Sequence, residues 1–137
     1  MPILEVCTGS LQSVINAVKG GAQRIELCSA LSLDGLTPSL GLIKTVRKMF
    51  PKLTIHTLIR VREGDFCYNE GEIKVMETDI KEILSYTDAI VCGALTADGD
   101  IDIATTRRLI DACEGKPFTF HRAFDVCREP LRAIDEL

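Results

Sequence analysis

Five times along its 137 residues this chain changes from a short apolar run with a two-residue period to a stretch whose apolar residues recur at helical spacing. Few folds accept that alternation. Strands separated by helices are joined by crossovers and pair in parallel, so the pattern predicts an α/β fold. The first strand spans Ile3 to Cys7, and Ser10 caps a helix from Leu11 to Lys19 that Gly20-Gly21 stops. Ala22 to Cys28 returns to strand, and after a Ser29–Thr37 loop Thr37-Pro38 reads as an N-cap with a first-turn proline for a helix bearing Leu40, Ile43, Val46 and Phe50. The third strand starts near Leu53, and its helix follows Asn69 and Glu72, which have capping-box spacing, on the face Ile73, Met76, Ile80 and Ile83. Asp88 to Cys92 is the fourth strand, with Asp102 capping a helix through Ala112. Phe118 to His121 is the fifth, and Glu129-Pro130 introduces a last helix carrying Leu131, Ile134 and Leu137.

Five βα units at about 27 residues each scale to roughly 220 residues for eight, close to the size of a TIM (β/α)8 barrel. Five cannot close one. The alternatives are an open doubly wound sheet and an incomplete barrel, and no Gly-x-Gly-x-x-Gly dinucleotide fingerprint follows the first strand. Repeated Glu and His strand endings favour convergence on a barrel axis. Residues 1–137 are therefore expected to form a single incomplete TIM-barrel domain in which strands six to eight are absent and the first and fifth strands expose edges, which predicts self-association.

The stretch Leu53 to Phe66 is the most informative, because a β-branched apolar run ends abruptly in Arg60, Arg62, Gly64 and Asp65. A strand covered on both faces, with chemistry just beyond its carboxyl end, is the expectation for a parallel sheet. Alternation puts His56, Leu58 and Arg60 on one face and Ile55, Thr57 and Ile59 on the other. The same rule groups Glu5 with Cys7, Glu26 with Cys28, and Thr119 with His121, each facing away from its apolar neighbours. Glu5, Glu26, Arg60 and His121 are thus expected near the carboxyl ends of four strands, with His56 lower on the third. A buried Glu26 requires a cation, hydrogen bonds or a proton. Glu26, His121 and Arg60 suit acid–base catalysis on a small anion, with Glu5, His56, Arg62, Arg122, Asp125 and the helix start at Ser39 as binding groups. The same charges equally suit a structural network, so the residues alone leave open whether this is an enzyme.

Composition removes other classes. With 46% hydrophobic residues the chain is not mainly disordered. Sixteen Lys and Arg against 20 Asp and Glu, a net charge of −4, make no basic stripe for nucleic acid. No run is long and apolar enough for a membrane span, and Met1-Pro2 leads directly into a strand, so the expected compartment is the cytoplasm. Six scattered cysteines without a Cys-x-x-Cys pair give neither a disulfide framework nor zinc-finger spacing. Cys92 and Cys113 read as core residues, while Cys67 and Cys127 lie in loops.

Five motifs in order, Glu5-Val6-Cys7, Arg24-Ile25-Glu26-Leu27-Cys28, Gly35-Leu36-Thr37-Pro38-Ser39, Arg60-Val61-Arg62-Glu63-Gly64-Asp65-Phe66 and His121-Arg122-Ala123-Phe124-Asp125, closely resemble the CutC, or copper homeostasis protein, family. The resemblance covers essentially the whole chain. It implies a cytoplasmic TIM-barrel protein of copper handling, often dimeric, with soft thiols and a polar cavity at the barrel mouth, of which this chain looks like the first five βα units. The family loop resembles Arg-Pro-Arg-Gly-Gly-Asp-Phe; here Val61 stands for the proline and Glu63 for the first glycine. For copper, Cys7 and Cys28 are the best pair, since each lies two residues beyond its strand's glutamate and two thiolates favour Cu(I). Buried structural cysteines and redox chemistry are the competing readings of that pair. A metal-independent TIM-barrel enzyme acting on a small anionic substrate is the alternative function.

Overall fold

The structure is a computed structural model that describes residues 1–137. Five strands, β1 (Glu5–Thr8), β2 (Arg24–Leu27), β3 (Thr54–Leu58), β4 (Ala89–Cys92) and β5 (Phe118–Phe120), pair in parallel in the order β1-β2-β3-β4-β5. Between and after them run α1 (Leu11–Lys19), α2 (Leu40–Met49), α3 (Glu70–Ile83), α4 (Ile103–Ala112) and α5 (Pro130–Glu136). The expected five βα units with parallel neighbours in sequence order are present, and the sheet does not close on itself. No helix is long and apolar enough to cross a membrane.

The helices cover one face of the sheet. Ile25, Leu27, Ile55, Ile90 and Cys92 alternate toward them and pack with Val14, Ile43, Val46, Met76, Ile80 and Leu109 in one core of 18 buried residues. Each such aliphatic side chain contributes about 1.5–3 kcal/mol of transfer free energy, so this layer fixes which way every strand faces. The expectation that β3 is covered on both faces is corrected: its other face looks into an open groove, and only Cys28, Leu58 and Val91 form a small buried cluster there. Interior β4 is buried along its whole length, whereas edge strands β1 and β5 are largely exposed or half-buried. Phe118 packs on the main core, but Phe120 packs on a second cluster of Leu95, Ile101, Ala123 and Ala133.

Local signals set most helix starts. Ser10 and Ser13 exchange capping bonds at 3.1 and 3.0 Å, as do Asn69 and Glu72 at 3.0 and 2.9 Å, and Asp102 accepts from the Thr105 amide at 2.9 Å. The cap of α2 is Ser39, which accepts from Leu42 N, and not Thr37 as expected. The Thr37 hydroxyl is engaged elsewhere: it accepts the Arg60 amide at 2.9 Å and donates to the Arg60 carbonyl at 3.0 Å, fastening the β2–α2 loop to the end of β3. That loop also holds an unanticipated 3-10 turn, Leu31–Leu33, followed by left-handed Asp34 and Gly35 with φ of 63° and 89°.

Two strand boundaries move site residues. Because β1 begins at Glu5, that carboxylate stands at the amino end of its strand, not near the carboxyl end as expected. His121 lies just past β5 and caps a 3-10 turn, Arg122–Val126.

Candidate functional site

The uncovered face carries the chemistry in layers. Parallel register pairs Glu5 with Arg24, Cys7 with Glu26, and Glu26 with His56, while Leu58 pairs with Val91 and Val91 with Thr119. Paired residues project to the same side. The lowest layer is therefore Glu5 and Arg24, the next Cys7, Glu26 and His56, then Cys28, Leu58 and Val91, with Arg60, Gly93 and His121 beyond the strand ends. Glu5 pairs with Arg24 and lies 3.8 Å from His56 Nδ1. Burial, and then Arg24, lower the His56 pKa against the pull of Glu5 and Asp88. Both residues thus belong to a charge network below the mouth.

Cys7, Glu26 and Cys28 form the one group of metal-ligating side chains, their ligand atoms all within 4.8 Å of one another. The two Sγ atoms are 3.8 Å apart, and Cys28 Sγ lies 3.6 Å from Glu26 Oε1. Cys28 is buried and Cys7 exposed, so the group opens to solvent on one side. Burial raises the pKa of all three groups; neighbouring Cys7 and Glu26 push Cys28 further up, while the hydrogen bond with Cys28 works against the rise at Cys7 and Glu26. Without a cation the thiols stay protonated, so a metal must displace their protons on entry. Two thiols and a carboxyl converging on one point fit a soft ion. Cys67 and Cys127 do not join the group, and Cys92 and Cys113 are buried in the core as expected.

At the carboxyl ends of the strands a cavity of about 210 Å³ is lined by Glu26, Asp34, Leu58, Arg60, Phe66, His121, Arg122, Asp125 and Val126. Arg60 is only 5% exposed, and no carboxylate neutralises it. Its Nη1 donates to the carbonyls of Leu33 (2.9 Å) and Gly35 (3.3 Å), and its Nη2 to that of Gly64 (2.8 Å). The guanidinium lies over the Phe66 ring, 4.8 Å from its centroid, and Nε is buried without a partner. His121 packs on the same ring, with centroids 5.0 Å apart. Its Nδ1 accepts the Ala123 amide at 3.1 Å, which leaves the proton of the neutral ring on Nε2, and Nε2 is buried without a partner too. Burial, with a smaller push from Arg60, lowers the His121 pKa to about 4, so the ring is neutral at pH 7. A Cβ on Gly93 would come within 2.8 Å of His121 Nδ1, so only glycine at the end of β4 admits the ring.

Glu26, Arg60, His121, Arg122 and Asp125 of the expected site residues therefore line one cavity, with Arg122 and Asp125 paired at 2.8 Å on its rim. Ser39 and Arg62 do not line it. Ser39 Oγ caps α2, and Arg62 binds Glu72 (2.6 Å), Asp65 (3.1 Å) and the Cys67 carbonyl (2.9 Å) while lying over Tyr68, which ties the polar loop to the start of α3. Sequence reasoning missed Asp34 and Phe66 as lining residues. Asp34 was visible only as a turn residue beside Gly35; Phe66 had a signal, being the aromatic next to Gly64-Asp65. An open groove of about 670 Å³ joins the two groups, running from Cys7 and Cys28 past Glu26 to His121 and Arg122.

Comparison with known proteins bears on this arrangement. The model of the CutC family matches residues 2–137. A family protein CutC of Parabacteroides distasonis is 46% identical over 138 residues, an alignment covering 98% of this chain and 56% of the relative. The human copper homeostasis protein cutC homolog is 45% identical over 136 residues, covering 98% of this chain and 50% of its own length. The crystal structure of CutC from Streptococcus agalactiae superimposes with a TM-score of 0.93 at 35% identity, covering 100% of this chain and 68% of that one. This chain thus spans about half the length of the two curated relatives.

Proposed function

The chain belongs to the CutC family, and on that premise we propose that it is a copper homeostasis protein that binds Cu(I) through the Cys7 and Cys28 thiolates with Glu26 as a third ligand. The convergence of these ligand atoms within 4.8 Å carries the reading. Soft thiolates select Cu(I) over harder ions, and the exposed Cys7 side gives the ion its way in. Residues 1–137 form the first five units of a single TIM-barrel domain, and the chain works in the cytoplasm, where six unpaired thiols stay reduced. The unpaired edges of β1 and β5 make it self-associate, with a size that rises with concentration. The test is anaerobic Cu(I) titration against a competing chelator. Competitor-resistant binding by the reduced chain, lost in the Cys7→Ser/Cys28→Ser variant, supports the proposal; no such binding, or binding unchanged by the double substitution, ends it.

One observation favours a second reading. Glu26, Arg60 and His121 line one cavity, and beneath its surface Arg60 Nε and His121 Nε2 are buried donors without acceptors. In that reading the chain is a metal-independent enzyme: Arg60 holds a small oxo-acid anion, the Glu26 carboxylate takes a proton from the carbon beside the carbonyl, the C–H electron pair passes to the carbonyl oxygen, to which the neutral His121 donates, and Glu26 returns a proton to that carbon to re-form the C–H bond. Its test is deuterium exchange from solvent into small oxo- and hydroxy-acids, followed by NMR in the presence of a copper chelator. Exchange that disappears in His121→Gln supports the enzyme; exchange absent or indifferent to that change removes it.

A further inference from the structure

We infer that Cys7 and Cys28 are a chelating pair and not a redox pair: the fold lets one soft atom bridge the two sulfurs, so that a trivalent organoarsenical binds there as well as a metal ion, but it keeps the sulfurs from joining in a disulfide. The inference concerns the thiols of the copper reading and does not require copper.

Distance separates the two outcomes. The Sγ atoms stand 3.8 Å apart. An atom bonded to both at about 2.3 Å, the length of a metal–thiolate bond, spans that gap with an angle of about 110° and no displacement of either sulfur. A disulfide bond of about 2.04 Å requires the same sulfurs to close by about 1.8 Å. The backbone opposes that closure. Register pairs Cys7 with Glu26, so Cys28 lies two residues further along, on a diagonal of the sheet. Strands spaced about 4.8 Å apart and rising about 3.3 Å per residue put the two Cα atoms about 8 Å apart, beyond the roughly 4.4–6.8 Å that a disulfide accepts. The sulfurs meet only because both side chains lean along that diagonal. Bringing Cys28 level with Cys7 means sliding β2, and β2 is fixed. The Cys28 amide donates to the Thr8 carbonyl at 2.8 Å, the Thr8 hydroxyl donates to the Glu26 carbonyl at 3.1 Å, and Ile25 and Leu27 are fully buried on the helix side.

Access favours the bridge. Both cysteines line the open groove of about 670 Å³, which leaves room for an organic substituent on the bridging atom. Exposed Cys7 takes the arsenic first, and the bond to Cys28 in the groove wall is then intramolecular. With phenylarsine oxide two As–S bonds replace the arsenic–oxygen bonding, the two thiol protons leave with that oxygen as water, and no electron is transferred. Cys92 and Cys113 are buried in the core, and Cys67 and Cys127 stand outside the ligand group, so one arsenical per chain is expected.

The experiment treats the reduced 137-residue chain with two reagents and reads the intact protein and its peptides by mass spectrometry. Phenylarsine oxide is expected to add once, to withstand excess 2-mercaptoethanol, and to bind about 100-fold or more less tightly in Cys7→Ser and in Cys28→Ser, since each leaves a single thiol. Diamide, which joins two thiols in a disulfide as it is itself reduced to the hydrazine, is expected to give no link between Cys7 and Cys28 in the folded chain and to give one in urea, where the register is gone. Cys7→Ser changes an exposed position, so it keeps the test open if Cys28→Ser unfolds. A disulfide between the two formed as readily in the folded chain as in urea overturns the inference, and so does an arsenical that fails to bind or binds unchanged in Cys7→Ser. Cu(I) bound where the arsenical is refused ends the inference and leaves the copper reading standing; the arsenical bound where Cu(I) is refused does the reverse.

Discussion

The thiol group and the mouth cavity sit on one face of one sheet and share Glu26, yet they are held in opposite ways. Cys7, Glu26 and Cys28 are set by two neighbouring strands whose register pairs Cys7 with Glu26. The cavity is set by loops: Arg60 is fastened by the carbonyls of Leu33, Gly35 and Gly64, and His121 by the Ala123 amide and the space over Gly93. A site carried by strands stands on the core behind it, and so tolerates loss of its own side chains. A site carried by loops is part of what folds the loops. Arg60 therefore has a structural duty that Cys7 lacks.

The largest expected effect tests that asymmetry. Arg60→Met strands three carbonyls, and it is expected to lower stability by about 4 kcal/mol in urea unfolding, whereas Cys7→Ser at its exposed position changes it by less than about 0.5 kcal/mol. Equal losses in the two variants would erase the distinction.

Acid sharpens it next. With its pKa lowered to about 4 in the fold against 6.5 unfolded, His121 contributes stability that is present above pH 6.5 and lost as pH falls toward 4, because the unfolded chain takes up the proton first. The loss is about 3 kcal/mol, and half-buried His56 adds to it in the same direction. Glu26, raised by burial, acts oppositely: its contribution is present below its ordinary pKa and fades as pH rises through the raised one. Denaturation across pH 4 to 7 is therefore expected to show a flatter slope in His121→Gln and a steeper acid loss in Glu26→Gln. A slope unchanged in His121→Gln would mean the ring is not buried as a neutral donor.

Gly93→Ala is smaller and more selective. The added methyl meets His121 at 2.8 Å and is expected to cost about 1–2 kcal/mol and to shift the His121 ring resonances while leaving Cu(I) affinity within about twofold, since the atoms it would meet belong to His121 and Phe120 and not to Cys7 or Cys28. A fall in Cu(I) affinity as large as that of the cysteine variants would join the two groups into one. Least of all, Ser39→Ala removes only the α2 cap, with an expected loss of about 1 kcal/mol in thermal unfolding and no change in anion binding. Weakened anion binding there would restore the helix start to the site.

The same division decides what could be read from the chain before it folded. A two-residue period assigns each strand residue to a face without knowledge of its neighbours, because burying Ile25, Leu27, Ile55 and Ile90 on the helix side leaves Cys7, Glu26, His56 and Leu58 no other direction. The shared face of Glu26 and Cys28 followed from that rule, and the five parallel units from the repeated change between strand and helix period. Strand ends obey no such rule. Where β1 starts depends on which amides β2 offers, so Glu5 fell at the foot of the sheet, and the α2 cap passed from Thr37 to Ser39 because Thr37 is bonded to Arg60, 23 residues away. Asp34 and Phe66 reach the cavity through loops without periodicity, and Arg62 leaves it for Glu72 on α3. Local sequence determined which side chains face the groove; only bonds between distant segments decided which of them meet at its mouth, because such bonds form between partners that the chain's own period does not couple.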